Sequence, residues 1–344
     1  MAKINVLGRV AKENTTEEVQ EGLEQSEAYH ILERNSLDLQ RCFTQEPEPL
    51  DFVLPGFVAG TVGTLFSPGA TGKSFLALEA AIAVASSTDG GDLLRLHPDA
   101  SGRVVYLAAE DPDSVLSTRL YAIAQHLPPV ARESIIENLS IHSILGRGMD
   151  LGNRSHCDGI INYIEDGARL IVIDTISRLH TLEESSNGDM ARLLQGLEYM
   201  AARTGAAVLF LHHISKGAAT SGQGATQQAA RGASALTDNS RWGAALTTMS
   251  ESEALEWSED ISLRPIGHDN RRRYIKLSFP KINYSPPLED RFFKRVDGGV
   301  LLPAALIPIN GKHKAEKAAR GKKVEDIVPD PLASTSRVID EEKW

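Results

Sequence analysis

VGTLFSPGATGKSFLALEAAIAVAS, residues 62–86, decides the fold. An apolar run passes into a glycine-bearing turn, then Gly72-Lys73-Ser74, then an alanine-rich stretch suited to a helix. Strand, glycine turn, Gly-Lys-Ser and helix in that order make a P-loop. Gly69 and Gly72 are expected to let the backbone turn tightly and aim its N–H groups at an anion. The helix that follows adds the positive end of its dipole. The nucleotide-binding residues are therefore Ser67, Pro68, Gly69, Ala70, Thr71, Gly72, Lys73, Ser74 and Phe75. Lys73 is suited to the β- and γ-phosphates, and the Ser74 hydroxyl to Mg²⁺. Ser67 departs from the pattern, which has glycine there. These residues imply binding of a nucleoside triphosphate with Mg²⁺.

Outward from this stretch, apolar runs alternate with segments of helical character. Strands are expected at 62–66, 103–107, 138–144, 169–174 and 206–212, and helices at 73–86, 113–126, 155–167 and 188–203. Such alternation predicts an α/β fold with a mostly parallel sheet. Beyond residue 240, short runs at 241–248, 272–278 and 290–302 have no helices between them, so antiparallel edge strands are expected. Residues 1–49 are polar, with one helix expected across Glu18–Leu39, and form an N-terminal arm. Residues 50–303 form the core. Residues 304–344 are charged and poor in apolar residues, and read as a mobile tail.

Chemistry-bearing residues fall at the expected strand ends. LIVID ends in Asp174, four aliphatics delivering a carboxylate, which is the Walker B arrangement beside a Mg²⁺. VVYLAAED places Glu110 and Asp111 after another strand, where parallel sheets bind ligands. Glu110 is the candidate general base, and Asp111 a helix-entry or outer metal partner. Leu211-His212-His213 ends the fifth strand, so either histidine is placed to sense the γ-phosphate. No further His or Cys stands at zinc-ligand spacing. The Gly/Ala/Gln/Thr stretch 216–230 is too long for an ordinary loop in an α/β core, which favours a functional one. Lys216 opens it and is a candidate DNA contact. Arg231 and Arg241 are candidate arginine fingers.

Composition narrows the class. The chain has 344 residues with 42% hydrophobic content, enough for one large α/β domain with tails. A net charge of −10 excludes a uniformly basic nucleic-acid coat but not a local basic channel. Two distant cysteines, Cys42 and Cys157, imply no disulfide framework and make a reducing cytoplasm the default. No signal-peptide pattern opens the chain, and no apolar run is long enough to span a membrane.

The segments LDFVLPGFVAGTVGTLFSPGATGKSFLALE, VVYLAAEDP, LIVIDT, LFLHHISKGA, ARGASALTDNSRW and FFKRVDGGVLLP together resemble the RepA-type hexameric replicative helicases of broad-host-range plasmids. These belong to the RecA/DnaB-like ATPases, and the resemblance spans about residues 50–303. It implies a RecA-like P-loop core and a homo-hexamer with ATP at subunit interfaces. Single-stranded DNA would thread the channel, moved by loops such as 183–190 and 214–230. By residue, it implies Lys73 and Ser74 on phosphate and Mg²⁺, Glu110 as base and Asp174 as Walker B acid. His213 or His212 becomes the sensor, Arg241 the favoured finger and Arg231 the second. The activity expected is ATP-driven DNA unwinding in plasmid or mobile-element replication, with a plasmid primase or initiator as a possible partner. The competing reading is a RecA-like DNA-binding ATPase with a recombination or regulatory role and no unwinding.

Overall fold

The computed structural model describes residues 27–164, 167–214, 236 and 239–309. The chain divides after Leu50. In the first unit, α1 (Glu27–Arg34) and α2 (Leu39–Thr44) replace the single helix expected across Glu18–Leu39, whose earlier part lies outside the described residues. The break has a local cause. The Asn35 side chain donates to the Ile31 carbonyl at 2.6 Å, and Asp38 caps the next helix by accepting from Arg41 N.

The second unit is built on one sheet. Its elements are β1 (Phe52–Leu54), β2 (Phe57–Val58), β3 (Val62–Ser67), α3 (Lys73–Ala85), β4 (Val104–Ala108), α4 (Asp113–Ala124), α5 (Pro129–Asn138) and β5 (Leu139–Ser143). Then come α6 (Arg154–Tyr163), β6 (Leu170–Asp174), α7 (Asn187–Thr204), β7 (Ala207–His213), β8 (Trp242–Thr248), α8 (Glu251–Glu256) and β9 (Trp257–Ser258). The described part closes with α9 (Gly267–Asn270), β10 (Tyr274–Ile282), β11 (Arg291–Arg295), β12 (Leu301–Pro303) and β13 (Ile307–Pro308). The tail expected from 304 thus begins with described structure, because β13 pairs with β9. Residues 310–344 lie outside the described residues.

The main sheet has the order β12-β11-β10-β8-β3-β7-β6-β4-β5. From β8 to β5 every pairing is parallel, and β10, β11 and β12 add antiparallel strands at one edge. The fold class is therefore α/β with a mostly parallel sheet and antiparallel edge strands. Burial explains the strand sequences. Every residue of β3, β4 and β6 is buried, as strands covered on both faces require. Alternate residues serve opposite faces. Val104 and Tyr106 pack with α3, α4 and α5, whereas Val105 and Leu107 pack with α6 and α7. The result is a three-layer helix–sheet–helix core. Because β3, β4, β6 and β7 run parallel, their carboxyl ends, and the residues that follow them, emerge along one edge.

Candidate functional site

The P-loop forms at that edge. Gly72 precedes α3 with φ +105°, a conformation that only glycine takes without strain. Ala70 is the other positive-φ residue of the loop, at +63°. Gly69 has no positive φ, and no atom of the described residues lies within 4 Å of where its Cβ would stand, so the turn depends on Gly72 and Ala70 rather than on Gly69. Ser67 is the last residue of β3, a position with no need for glycine, and its hydroxyl donates to the Pro68 carbonyl at 3.0 Å. Thr71 Oγ1 braces the loop by donating to the same carbonyl at 2.8 Å. No side chain caps the start of α3, so its first N–H groups are left for an anion.

Lys73 is 5% exposed. Burial pushes its pKa down to about 8, although the Asp174 and Glu110 carboxylates pull the other way. Its Nζ lies 3.3 Å from the ring nitrogens of His213. Asp174, at the end of β6, is 2% exposed. Burial raises its pKa, against the opposing effects of Tyr106, Ser74 and Lys73. Tyr106 donates its hydroxyl to Asp174 Oδ2 at 2.7 Å. The other oxygen, Oδ1, is buried without a close hydrogen-bond partner among the described residues, while the Ser74 hydroxyl is near enough to lower the carboxyl pKa. A buried carboxylate oxygen with spare acceptor capacity beside a serine hydroxyl fits the donor set of a Mg²⁺ ion.

Glu110 follows β4, and its Oε1 gathers three neighbours. Thr175 Oγ1 donates at 2.9 Å, His213 Nε2 lies at 3.5 Å and Arg178 Nε at 3.9 Å. Burial raises the Glu110 pKa, but Thr175, His213 and Lys73 together outweigh it and hold the carboxyl below its usual value. Asp111 is committed elsewhere. Arg119 grips it through two hydrogen bonds, Nη1 to Oδ2 at 2.5 Å and Nη2 to Oδ1 at 3.2 Å. The same guanidinium lies over the Phe75 ring, 5.5 Å from its centroid.

The two adjacent histidines separate. His213 is exposed toward Lys73 and Glu110. His212 is 6% exposed, and burial, with Lys73, His213 and His180 nearby, pushes its pKa down to about 4. Of the two, only His213 meets the P-loop lysine and Glu110.

Arg241 immediately precedes β8, and its N–H donates to the Val62 carbonyl at 3.0 Å. Val62 begins β3 and Ser67 ends it, so Arg241 is level with the far end of the strand, roughly 16 Å back from the P-loop. The structure does not bring it to this chain's own phosphate site. Arg231 and Lys216 lie outside the described residues. Thr175, Tyr106, Arg119 and Arg178 were not among the sequence candidates. Thr175 directly follows the Walker B aspartate, which is the one sequence signal that marks it.

The model of the AAA domain family matches residues 29–219, more than half of the chain. The chain belongs to this family. A crystal structure of the RadB recombinase is similar to this chain with a TM-score of 0.44 at 15% identity, over 71% of this chain and 90% of that one. The core is that of an α/β P-loop protein of this family, with a mostly parallel sheet and antiparallel edge strands. Among the described residues of this AAA domain, no helix is long and apolar enough to cross a membrane.

Proposed function

We propose that this AAA domain hydrolyses ATP to drive movement along single-stranded DNA, as a homo-hexameric replicative helicase of the RepA type. The observation that carries the reading is the convergence of Lys73, Asp174, Glu110 and His213 at one sheet edge, with Arg241 at the other. In this reading Lys73 and the N–H groups of residues 69–74 bind the triphosphate. Ser74 and Asp174 would hold Mg²⁺, which when bound would supply charge neutralisation for the phosphate oxygens. Glu110, ionised at neutral pH, accepts a proton from the attacking water. His213, between Lys73 and Glu110, reports whether the γ-phosphate is present. Arg241 serves the site of a neighbouring subunit, because it is remote from its own. Lys216 and the loop it opens contact DNA phosphates, and a plasmid primase or initiator loads the ring. The cytoplasm is the compartment this role requires.

The test combines two assays on purified protein. ATP turnover is measured with and without single-stranded DNA, and strand displacement on a forked duplex. The reading expects DNA-stimulated turnover and displacement, both abolished in Lys73→Ala. Stimulated turnover without displacement would favour the recombination or regulatory reading. Turnover that survives in Lys73→Ala would defeat the site assignment itself.

A further inference from the structure

Arg295 has no part in the machinery described so far. It ends β11, one of the antiparallel edge strands, yet its Nη2 donates to the Thr71 carbonyl of the P-loop at 2.6 Å. The guanidinium is half-buried, and burial alone shifts its pKa, with no carboxylate offsetting it among the described residues. A cation withdrawn from water ordinarily takes an anion as partner. This one spends its charge on a backbone carbonyl. The approach is close enough that a Cβ on Gly72 would fall 2.9 Å from Nη2.

The consequence follows from peptide geometry. A trans peptide sets its C=O and N–H on opposite sides. Thr71 C=O and Gly72 N–H belong to one peptide, so a guanidinium holding the carbonyl turns the Gly72 N–H away from itself. Gly72 stands at the uncapped start of α3, where N–H groups serve an anion. A charge-assisted hydrogen bond to the carbonyl also polarises the peptide and strengthens its N–H as a donor.

We propose that Arg295 is a positioning residue for polyphosphate binding: it locks the Thr71–Gly72 peptide so that the Gly72 N–H faces the phosphates. This rests on the P-loop reading above. The antiparallel edge of the sheet thereby becomes part of the nucleotide site.

Binding of ATP and of inorganic tripolyphosphate, each with Mg²⁺, is measured by calorimetry on the full chain. Wild type is compared with Arg295→Met, which keeps the packed stem, and with Arg295→Lys. Arg295→Met is expected to weaken both ligands about 10-fold or more, the usual size of a lost hydrogen bond to a charged group. Arg295→Lys should recover part of that loss, and the melting temperature without ligand should stay near wild type. Equal affinities in wild type and Arg295→Met would overturn the proposal. So would a loss that Lys does not recover and that a lowered melting temperature accompanies, since that marks a purely structural brace. If Arg295→Met does not fold, Arg295→Gln replaces it with the same expectation. Wild type that binds neither ligand would instead sink the P-loop reading, and this proposal with it.

Discussion

Thr175 and Glu110 are joined by a hydrogen bond, Thr175 Oγ1 to Glu110 Oε1 at 2.9 Å. The residue after Asp174, the candidate metal-site aspartate, thereby holds the candidate base. This bond is one of the contacts that keep the Glu110 carboxyl below its usual pKa against the opposing effect of burial. Thr175→Val keeps the branched shape and removes only the donor. The pKa of Glu110 should then rise, moving the acid limb of the kcat/KM profile for ATP to higher pH. An acid limb that stays in place would show that the hydroxyl does not act on the base.

Glu110 and Asp111 are adjacent acids with different attachments. Glu110 faces His213 and Lys73, whereas Asp111 is tied to Arg119. Glu110→Gln should bind ATP but lose about 10²–10⁴-fold in turnover, the range for general-base removal. Asp111→Asn should cost far less turnover and act mainly through Arg119 and the Phe75 ring below it. A dead Asp111→Asn beside an active Glu110→Gln would reverse the assignment.

The parallel core was legible because its physics is local. Four buried strands read as continuous apolar runs, and each ends in a polar residue or turn that marks the binding edge. Helix Pro129–Asn138 was not legible, because Pro128-Pro129 reads as a loop although proline is well tolerated in a first helical turn. The supporting contacts of the site were hidden by distance along the chain. Tyr106 meets Asp174 across 68 residues, Glu110 meets Thr175 across 65 and Arg295 meets Thr71 across 224. No spacing rule links such pairs. His212 and His213 illustrate a subtler gap, since strand alternation separates them but cannot say which one turns toward the P-loop.

Lys73 makes nucleotide affinity pH-dependent. Its pKa in the free protein is about 8, and a bound polyphosphate, by favouring the ammonium, raises it. Binding therefore takes up a proton above pH 8, and ATP affinity should fall by up to about 10-fold per pH unit there. Lys73→Arg, which stays charged, should lack this slope. Calorimetry at pH 7, 8 and 9 checks it, and an affinity flat across that range in wild type would contradict the lowered pKa.

Arg241 should act in trans. Its position level with Val62 leaves it unable to serve its own P-loop without a large rearrangement. Arg241→Ala alone should lose most turnover, since a finger contributes about 10³–10⁵-fold in well-studied nucleotide hydrolases. Glu110→Gln alone should also be inactive. Mixed rings should regain activity, because an Arg241→Ala subunit keeps its own base and borrows the arginine of a Glu110→Gln neighbour. Subunit exchange is verified by pull-down of a tagged variant. Exchange without recovered turnover would remove Arg241 from the finger role, and the same mixing with Arg231→Ala would test the second candidate.

Glu79 gives the fold itself a pH dependence. It lies fully buried in the middle of α3, where Oε1 accepts from Leu301 N at 2.9 Å and Oε2 has no hydrogen-bond partner among the described residues. Burial pushes its pKa up to about 8, only partly opposed by the Leu301 N–H. An unfolded glutamate titrates near 4.5. Below that value both states carry the proton, and the contribution is fully present. Between it and pH 8 the folded chain keeps a proton that the unfolded chain releases, so stability falls as pH rises, by about 1.4 kcal/mol per unit from this group. Glu79→Gln stays neutral and keeps an acceptor for Leu301 N, which removes that slope. The variant should therefore gain on wild type as pH rises from 5 to 8, and keep its advantage at pH 9. Denaturant unfolding at these pH values gives the difference directly, with the titrations of Lys73 and Asp174 common to both proteins and cancelling. A difference that does not change with pH would mean that Glu79 ionises in the fold as it does in water.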